Sequence, residues 1–272
     1  NNDGLDDAVT PGYTNAVMNY QLAGGGFSST SIAHSPAANT ASWSFAVGDI
    51  DGNGYNDMLY GGGSGATFMI ANSTGTGFTQ NTFPQYIFCQ RTNFVDVDQD
   101  GNLDAFSCHD VDANVFYMSD GQGGLTFNQG GLGETCGNYG SIWVDYDGDQ
   151  DMDLFVAKCG CDPVDILYRN NGDGSFSNVA AALGFADGQQ SWSSAWADYD
   201  NDGDMDLVIN NLNSPSLIYK NNTDTSQFNS IRISLSSSDK NRFALGTKAT
   251  AHCGELLFTA DNFTTRGFQS SA

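Results

Sequence analysis

The feature that most constrains this chain is a nine-residue stretch, residues 198–206, in which aspartates alternate with other residues. Its first, third, fifth and ninth positions are acidic: Asp198, Asp200, Asp202 and Asp206. Calcium takes about six to eight oxygen ligands in proteins, and alternating aspartates on a curled backbone supply them. Gly203, at position 6, permits a left-handed turn that brings later ligands round the ion. The spacing therefore predicts a calcium-binding loop, in which Asp204 at position 7 adds its backbone carbonyl.

The residues that follow this loop separate it from an EF-hand. Ile209 stands where an EF-hand has its glutamate at position 12. The apolar run Leu207-Val208-Ile209 is typical of a strand rather than a helix. We therefore expect the loop to join two strands.

The same spacing recurs, which defines loop one (residues 1–7), loop two (49–57), loop three (96–104), loop four (145–153) and loop five (198–206). The predicted ligands in the first four are Asn1, Asp3, Leu5, Asp7; Asp49, Asp51, Asn53, Tyr55, Asp57; Asp96, Asp98, Asp100, Asn102, Asp104; and Asp145, Asp147, Asp149, Asp151, Asp153. Position 7 acts through its backbone carbonyl. Gln150 replaces the position-6 glycine in loop four, where a left-handed conformation is disfavoured. Loop one lacks its front half, so we expect a longer precursor.

The loops repeat at a period of about 50 residues, which is typical of repeat architectures. Each repeat contains a strand before the loop, a strand after it, and a hairpin that ends in a phenylalanine. Four short strands per repeat, with Gly- and Asn-rich turns between them, predict an all-β fold of β-propeller blades. A β-helix is the alternative, but its repeats are much shorter. Helix is expected only near residues 178–183.

The composition changes at residue 231, and the period stops there. The repeats, residues 1–230, carry nearly all the acidic side chains, whereas residues 231–272 carry five of the nine basic ones. Residues 231–235 alternate like a half-buried strand, and further strands are expected at 248–252 and 256–259. We predict two parts: calcium-binding propeller repeats over 1–230 and a β appendage over 231–272. The appendage is expected to fill an open blade edge, in its own chain or in a neighbouring molecule.

The net charge of −23 comes from 30 aspartates and only two glutamates, against nine basic residues. Most of the aspartates lie in the loops, so the acidity is a supply of ligands rather than a disordered tail. Such a charge excludes nucleic acid and an anionic membrane as expected partners. With four or five loops, the chain should bind four or five Ca²⁺ ions. Magnesium is less suited, because it keeps waters and strict octahedral geometry.

The cysteines indicate an oxidising compartment. They form an even set: Cys89, Cys108, Cys136, Cys159, Cys161 and Cys253. Antiparallel pairing of the strands around loop four favours a disulfide from Cys136 to Cys159 or Cys161, and the same logic pairs Cys89 with Cys108. Asn72, Asn221 and Asn262 begin N-glycosylation sequons. With no apolar run long enough to span a membrane, the chain is expected to be a secreted, extracellular glycoprotein.

Catalytic residues are not expected. The three histidines, His34, His109 and His252, are scattered and share no repeated context. Cys159-Gly160-Cys161 is one residue short of the C-x-x-C spacing of zinc and redox sites, and no second pair accompanies it. Most of the aspartates are committed to the loops, and nothing singles out two others as a glycosidase pair. We expect that the protein is not an enzyme.

Three stretches resemble a known family. They are the D-x-D-x-D-G-x-x-D loops, the run Leu-Tyr-Arg-Asn-Asn-Gly-Asp-Gly-Ser-Phe at 167–176, and the tail with Asn-Arg-Phe-Ala-Leu-Gly at 241–246 and Gly-Phe-Gln-Ser-Ser at 267–271. Together they resemble the cartilage acidic protein family, in which FG-GAP/VCBS-type propeller repeats precede an ASPIC/UnbV-type segment. The resemblance implies an extracellular calcium-binding propeller with matrix or interaction roles, related in fold to the head of integrin α-subunits. Gln150 and the number of loops, five rather than seven, depart from that pattern.

Two functions remain open at this stage. The first is a structural, adhesion or matrix protein that contacts other extracellular proteins and self-assembles through residues 231–272. The second is a lectin-like, carbohydrate-binding module of a polysaccharide-acting protein. Exposed aromatic side chains on the face opposite the loops would favour the second function.

Overall fold

The computed structural model describes residues 1, 3–12, 14–35, 42–62, 65–186, 188–227, 233–236, 244, 247–253 and 256–262. The side chains of residues 42–43, 61–62, 253 and 256–261 lie outside that description. The chain forms two compact units. The first contains residues 1–107, 116–128 and 234–272, and the second contains residues 108–115 and 129–233.

Short strands make up almost all the regular structure, as the sequence predicts. Each sheet is a meander in which consecutive strands pair. Sheet one has β1 (Ala8–Pro11), β2 (Asn15–Gln21) and β3 (Phe27–Ala33); sheet two has β4 (Ser42–Gly48), β5 (Asp57–Gly62), β6 (Gly65–Ala71) and β7 (Phe78–Phe83); sheet three has β8 (Cys89–Val95), β9 (Asp104–His109), β10 (Val115–Ser119) and β11 (Leu125–Gln129).

Sheet four has β12 (Asn138–Val144), β13 (Asp153–Lys158), β14 (Ile166–Asn170) and β15 (Phe176–Asn178), and sheet five has β16 (Ser191–Ala197), β17 (Asp206–Asn211) and β18 (Leu217–Tyr219). A one-turn helix, α1 (Ala180–Leu183), follows β15 and ends at Gly184, whose φ is 87°. A 3-10 helix spans Thr225–Gln227. The all-β class is therefore confirmed. Sheets two, three and four also have the predicted four strands of a blade-like repeat, whereas sheets one and five have three strands among the described residues.

The cores lie between successive sheets within each unit. In the first unit, Ala16 of sheet one packs with Met58, Tyr60 and Met69 of sheet two. In the second unit, Phe155 and Leu167 of sheet four pack with Leu207 of sheet five. These residues alternate along their strands, so each strand presents one apolar side to a neighbouring sheet. The strands before the loops lie next to each other in both units, as β4 with β8 and β12 with β16.

The tail is only partly as predicted. β19 (Lys248–Cys253) and β20 (Leu256–Asp261) form the expected hairpin, which is a two-stranded sheet of its own. The strand predicted at 231–235 is wrong in its described part, because residues 233–236 adopt no regular structure. Residues 231 and 232 lie outside the described residues. Alternation of polar and apolar residues alone does not make a strand where no partner strand supplies hydrogen bonds.

One disulfide joins Cys136 to Cys161, with 6.1 Å between their Cα atoms. It confirms the predicted bridge, because the pairing of Asn138 with Lys158 brings the ends of β12 and β13 together. The disulfide is compatible with an extracellular protein. Within the described part of the chain, no helix is both long and apolar enough to cross a membrane.

The pairing predicted for Cys89 and Cys108 is wrong. These residues and Cys159 are buried thiols that form no disulfide. Cys89 Sγ lies 3.2 Å from Thr92 Oγ1, and Cys159 Sγ donates to Gln190 Oε1 at 3.2 Å. Neighbouring strand ends do not suffice for a bridge, because the two Cβ vectors must also point toward each other. The side chain of Cys253 is outside the described residues.

Candidate metal centres

The acidic loops connect the first and second strands of their sheets. Loop two joins β4 to β5, loop three joins β8 to β9, loop four joins β12 to β13 and loop five joins β16 to β17. The aspartate at position 9 is in each case the first residue of the following strand, and it is buried: Asp57, Asp104, Asp153 and Asp206. A loop that begins and ends on paired strands returns close to its starting point, which gathers its side chains.

The position-9 aspartate ties each loop to the third strand of its sheet. Its Oδ1 accepts an N–H at 2.7–2.9 Å from the end of that strand, donated by Ala71, Ser119, Asn170 or Asn221. Its Oδ2 accepts the N–H of the second loop residue at 2.8–3.1 Å, donated by Ile50, Val97, Tyr146 or Tyr199. This aspartate therefore has a structural role that motif spacing did not reveal.

The position-1 carboxylate holds the turn of the loop. Asp49 Oδ2 accepts the N–H of Gly54 at 2.8 Å, and Asp145 Oδ2 accepts the N–H of Gln150 at 3.1 Å. The residue at position 6 is left-handed throughout, which confirms the expectation for that position; φ is 78° at Gly4, 87° at Gly54, 90° at Gly101, 81° at Gln150 and 100° at Gly203.

A second left-handed residue, at position 4, was missed. In loops two to five φ is 67° at Gly52, 59° at Gln99, 76° at Gly148 and 63° at Asn201. Only glycine and, to a lesser degree, asparagine adopt this region readily. Glycine or asparagine at three of four equivalent positions was the available signal, although Gln99 obscures it.

The side chains at positions 1, 3 and 9 converge in four loops. Each triad offers one carboxylate oxygen per residue, and the three oxygens lie within 4.8 Å of one another. The triads are Asp49, Asp51, Asp57; Asp96, Asp98, Asp104; Asp145, Asp147, Asp153; and Asp198, Asp200, Asp206. Oxygens bound to one calcium ion at about 2.3–2.6 Å lie at most about 5 Å apart, so the triads match such an ion.

Position 5 does not join these triads. In loop two, Asn53 Nδ2 donates to the Ala71 carbonyl at 2.8 Å, and Asn53 Oδ1 accepts the N–H of Tyr55 at 2.8 Å. In loop three, Asp100 Oδ1 accepts the N–H of Asn102 at 2.8 Å. The side chain at position 5 thus curls the residues that follow it.

The electrostatics of the triads call for a cation. Asp96 Oδ1 and Asp147 Oδ1 are buried and accept no hydrogen bond from the described residues. Burial raises the pKa of Asp57 and of Asp104 to about 7 and that of Asp153 to about 8. Burying carboxylates is unfavourable unless a positive charge compensates them. The donors are oxygens only, as a hard divalent cation requires, so these residues fit calcium.

The family model of the FG-GAP-like repeat matches residues 1–60, 96–156 and 145–209. Each match begins at one acidic loop and extends beyond the next. The chain belongs to the FG-GAP-like repeat family. The matches end before the tail, so the resemblance of residues 231–272 to an ASPIC/UnbV segment stays a prediction, as does the relation to cartilage acidic proteins. A comparison with curated proteins found no match.

Residues 1–7 correspond to positions 3 to 9 of an FG-GAP-like loop. Asp3 and Asp7 are its only carboxylates among the predicted ligands, and the amino group of Asn1 lies 3.4 Å from Asp7 Oδ2. Asp7 Oδ1 nevertheless accepts the N–H of Gln21 at 2.9 Å, which repeats the bond made by position 9 elsewhere. Loop one therefore keeps the hydrogen bond that position 9 makes in the other loops.

Loop five has an aspartate at all five odd positions, as loop four does. Asp204 is 4% exposed, and neither of its side-chain oxygens accepts a hydrogen bond within the described part of the chain. Burial raises the pKa of Asp204 to about 6. Lys220 bonds to Asp200 and lies 3.1 Å from Asp202 Oδ2. These bonds raise the pKa of Lys220.

Successive FG-GAP-like repeats are joined by a clamp at the second residue of a loop. Ser119, at the end of β10, donates its Oγ–H to the Ile50 carbonyl of loop two at 2.8 Å. Asn221, after β18, donates its Nδ2–H to the Tyr146 carbonyl of loop four at 2.7 Å. The backbone N–H of each clamp residue also bonds to the position-9 aspartate of its own repeat. Neighbouring loops are therefore linked through one residue.

The three sequon asparagines differ in what their amide groups do. Asn72 is exposed in the β6–β7 hairpin, and its Oδ1 accepts the Thr74 N–H at 3.1 Å. Asn221 Nδ2 is committed to the clamp, and Asn262 Nδ2 donates to the Ala244 carbonyl at 3.0 Å. A glycan on the last two would replace these bonds, so Asn72 is the site best placed for modification. Glycosylation itself stays a prediction.

Proposed function

We propose that the chain is a calcium-binding β-propeller domain whose FG-GAP-like repeats each contribute one blade. The observation that carries this proposal is the fourfold recurrence of three carboxylates within 4.8 Å, with buried oxygens that lack hydrogen-bond donors in the described structure. Support for the propeller comes from the one-sheet-per-repeat meander and the lateral contact of the strands before the loops. Four or five ions would hold the ends of successive blades.

Calorimetric titration of the calcium-stripped protein tests the proposal. We expect about four ions, and calcium should raise the melting temperature because it binds the folded state. Asp147→Asn should remove one ion, since Asp147 Oδ1 has no other donor among the described residues. Asp173→Asn is the matched control, because Asp173 is exposed in the β14–β15 hairpin. A stoichiometry of zero, or equal loss in both variants, would overturn the proposal.

The role proposed for this domain is structural or adhesive, in a secreted glycoprotein that is not an enzyme. The disulfide, the exposed sequon at Asn72 and the acidic surface support an extracellular setting. Other extracellular proteins or glycans would be its partners, and residues 231–272 would mediate self-association. Size measurement in calcium and in chelator tests the last point; a monomer at all concentrations would count against it.

A second candidate, carbohydrate binding, is favoured by exposed aromatic residues away from the loops. Trp192 stands at a register irregularity near the start of β16, at the end opposite loop five, and is 52% exposed. Tyr139 occupies the equivalent irregularity in β12 and is half-buried. Aromatic faces at such positions are suited to stacking against sugar rings. Glycan-array binding that is lost in Trp192→Ala, and kept in the exposed control Tyr86→Ala, would support this function.

A further inference from the structure

Lys220 brings a positive charge into loop five from outside the loop. Its Nζ bonds to Asp200 at position 3 and lies 3.1 Å from Asp202 Oδ2 at position 5. Both carboxylates belong to the predicted calcium ligands. The side chain of Lys220 is 45% exposed, so it can leave the loop for solvent without opening a core.

The hydrogen bonds of the position-9 aspartates identify the equivalent of Lys220 in the other repeats. In each repeat, one backbone N–H bonds to Oδ1 of the position-9 aspartate, and Lys220 immediately precedes that donor in the fifth repeat. The residues that precede the corresponding donors in the second, third and fourth repeats are Ile70, Met118 and Arg169. Ile70 and Met118 are uncharged and cannot neutralise a carboxylate. Arg169 is exposed and bonds to Asn171 at 3.4 Å. Burial raises the pKa of Asp147 in loop four, and the charge of Arg169 offsets that rise only in part.

We propose that Lys220 is a tethered competitor of calcium that makes loop five a weaker and later-filling site than loops two and three. The inference rests on the proposed calcium binding and adds a rank order to it. An ammonium group that bonds two ligands must be displaced before those ligands can coordinate an ion. Breaking the ion pairs of Lys220 costs free energy, and this cost makes calcium binding to loop five less favourable. The other loops do not bear this cost.

The charge of loop five explains how it accommodates both cations. All five odd positions of the loop are aspartates, from Asp198 to Asp206, whereas loop two has an asparagine and a tyrosine at positions 5 and 7. The buried carboxylate of Asp204 has no donor among the described residues and gains from any cation nearby. Lys220 supplies a single charge when calcium is scarce, and calcium supplies two when it is abundant.

Reciprocal substitutions test the competition in the full chain. Lys220→Met gives the fifth repeat the side chain that Met118 provides in the third repeat, and it should raise the affinity of the weakest calcium site by about twofold to fivefold. Met118→Lys should lower the affinity of one strong site by a similar factor. Lys220→Arg retains the charge and should behave like the natural protein. In an Asp200→Asn background the effect of Lys220→Met should shrink, because only the contact with Asp202 then remains.

NMR of the lysine Nζ groups reports directly whether Lys220 leaves loop five when calcium binds, which an affinity measurement does not. The chain has four lysines, so Nζ signals can be assigned by substitution. The Lys220 signal should move to the position of a solvated lysine only in the later part of a calcium titration. If calcium binds no loop, the proposed function fails and the competition with it. If calcium binds but Lys220→Met leaves the affinities unchanged or lowers them, the competition alone is overturned.

Discussion

At the residue scale, position 4 of the loops keeps one backbone conformation while its side chain varies. Gly52, Gln99, Gly148 and Asn201 are all left-handed. This turn, with the one at position 6, curls the chain so that carboxylates two residues apart face a common centre. Residues other than glycine carry strain there, of about 1–2 kcal/mol for a fully disfavoured side chain. The loop as a whole therefore determines the conformation at position 4, and the intrinsic preference of the residue there does not.

Gln150→Gly should stabilise the protein. Gln150 has a φ of 81°, and glycine would remove the steric cost while it adds flexibility to the unfolded chain. We expect the free energy of unfolding in denaturant to rise by about 0.5–1 kcal/mol. The matched control is Gly54→Ala, where an added Cβ meets no atom within 4 Å and only the backbone is strained. That variant should lose about 1 kcal/mol. A loss of stability in Gln150→Gly would contradict the prediction.

The raised carboxylate pKa values predict how the calcium-free protein responds to pH. Unfolded aspartates titrate near a pKa of about 4, whereas Asp57, Asp104 and Asp153 titrate at about 7 to 8 in the folded state. The folded state binds more protons between these values, so its stability should fall as pH rises from about 4 to about 8. Saturating calcium should remove this trend. Melting temperatures of stripped and calcium-loaded protein across that range test it, and a stripped protein that becomes more stable toward pH 8 would disprove it.

The residues of the site were predictable as far as they follow a repeated spacing. Positions 1, 3 and 9 were found from the sequence because their aspartates recur in every complete loop. Lys220 was not, since it lies in a different strand from the ligands that it reaches. Position 5 was predicted as a ligand, but local bonds such as Asn53 to Ala71 hold it aside. Spacing defines which side chains can meet, and the surrounding hydrogen bonds decide which of them do.

At the scale of the element, each loop depends on two sheets. Loop two is held by Asp57, which bonds its own third strand at Ala71, and by Ser119, which reaches from sheet three to the Ile50 carbonyl. Loop four is held by Asp153 and Asn221 in the same way. The spacing of the motif predicts neither of these two bonds. The arrangement couples neighbouring loops within a unit.

Ser119→Ala should weaken the first unit at loop two. It removes the bond to the Ile50 carbonyl and the acceptor of the Gly121 N–H, but it keeps the backbone bond to Asp104. We expect a loss of about 1–2 kcal/mol in the free energy of unfolding, and a lower calcium affinity in one site. Ser28→Ala, on the exposed strand β3, is the control and should change neither quantity. Equal effects in the two variants would disprove the clamp.

The strands were predictable because alternation and turn residues are local signals. It was harder to predict which cysteines form a disulfide. Cys136 and Cys161 follow from strand pairing, whereas the burial of Cys89, Cys108 and Cys159 as thiols depends on which side of a sheet each side chain takes. The tail hairpin was predicted correctly. A strand was also predicted at residues 231–235 from alternation alone, and its described part, residues 233–235, has no regular structure.

At the scale of the whole molecule, the tail belongs to the first unit. Residues 234–272 group with residues 1–107 and 116–128, and Lys248 Nζ donates to the Gly101 carbonyl of loop three at 3.1 Å. A basic tail is thus in contact with an acidic loop, as its composition suggested. Its hairpin forms a sheet of its own among the described residues, so the filling of a blade edge stays a prediction.

Removal of residues 231–272 should lower the stability of the first unit and leave the second nearly unchanged. The reason is that the contact with loop three is lost, while the bonds of loops four and five are retained. Hydrogen exchange of the truncated and full chains would resolve the two units, and size measurement would report self-association. Lys248→Met tests the single contact. A truncated chain as stable and as monomeric as the full one would contradict both roles of the tail.

The clamp also affects the order in which the loops can form during synthesis. The partner of the Ile50 carbonyl lies 69 residues downstream, and the partner of the Tyr146 carbonyl lies 75 residues downstream. A chain that emerges from the ribosome N-terminus first must therefore wait for more than one further repeat before each of these loops is complete. Loop two should acquire its final form only after Ser119 has emerged, and loop four only after Asn221. The order of synthesis thus sets the order in which the loops can reach their final form.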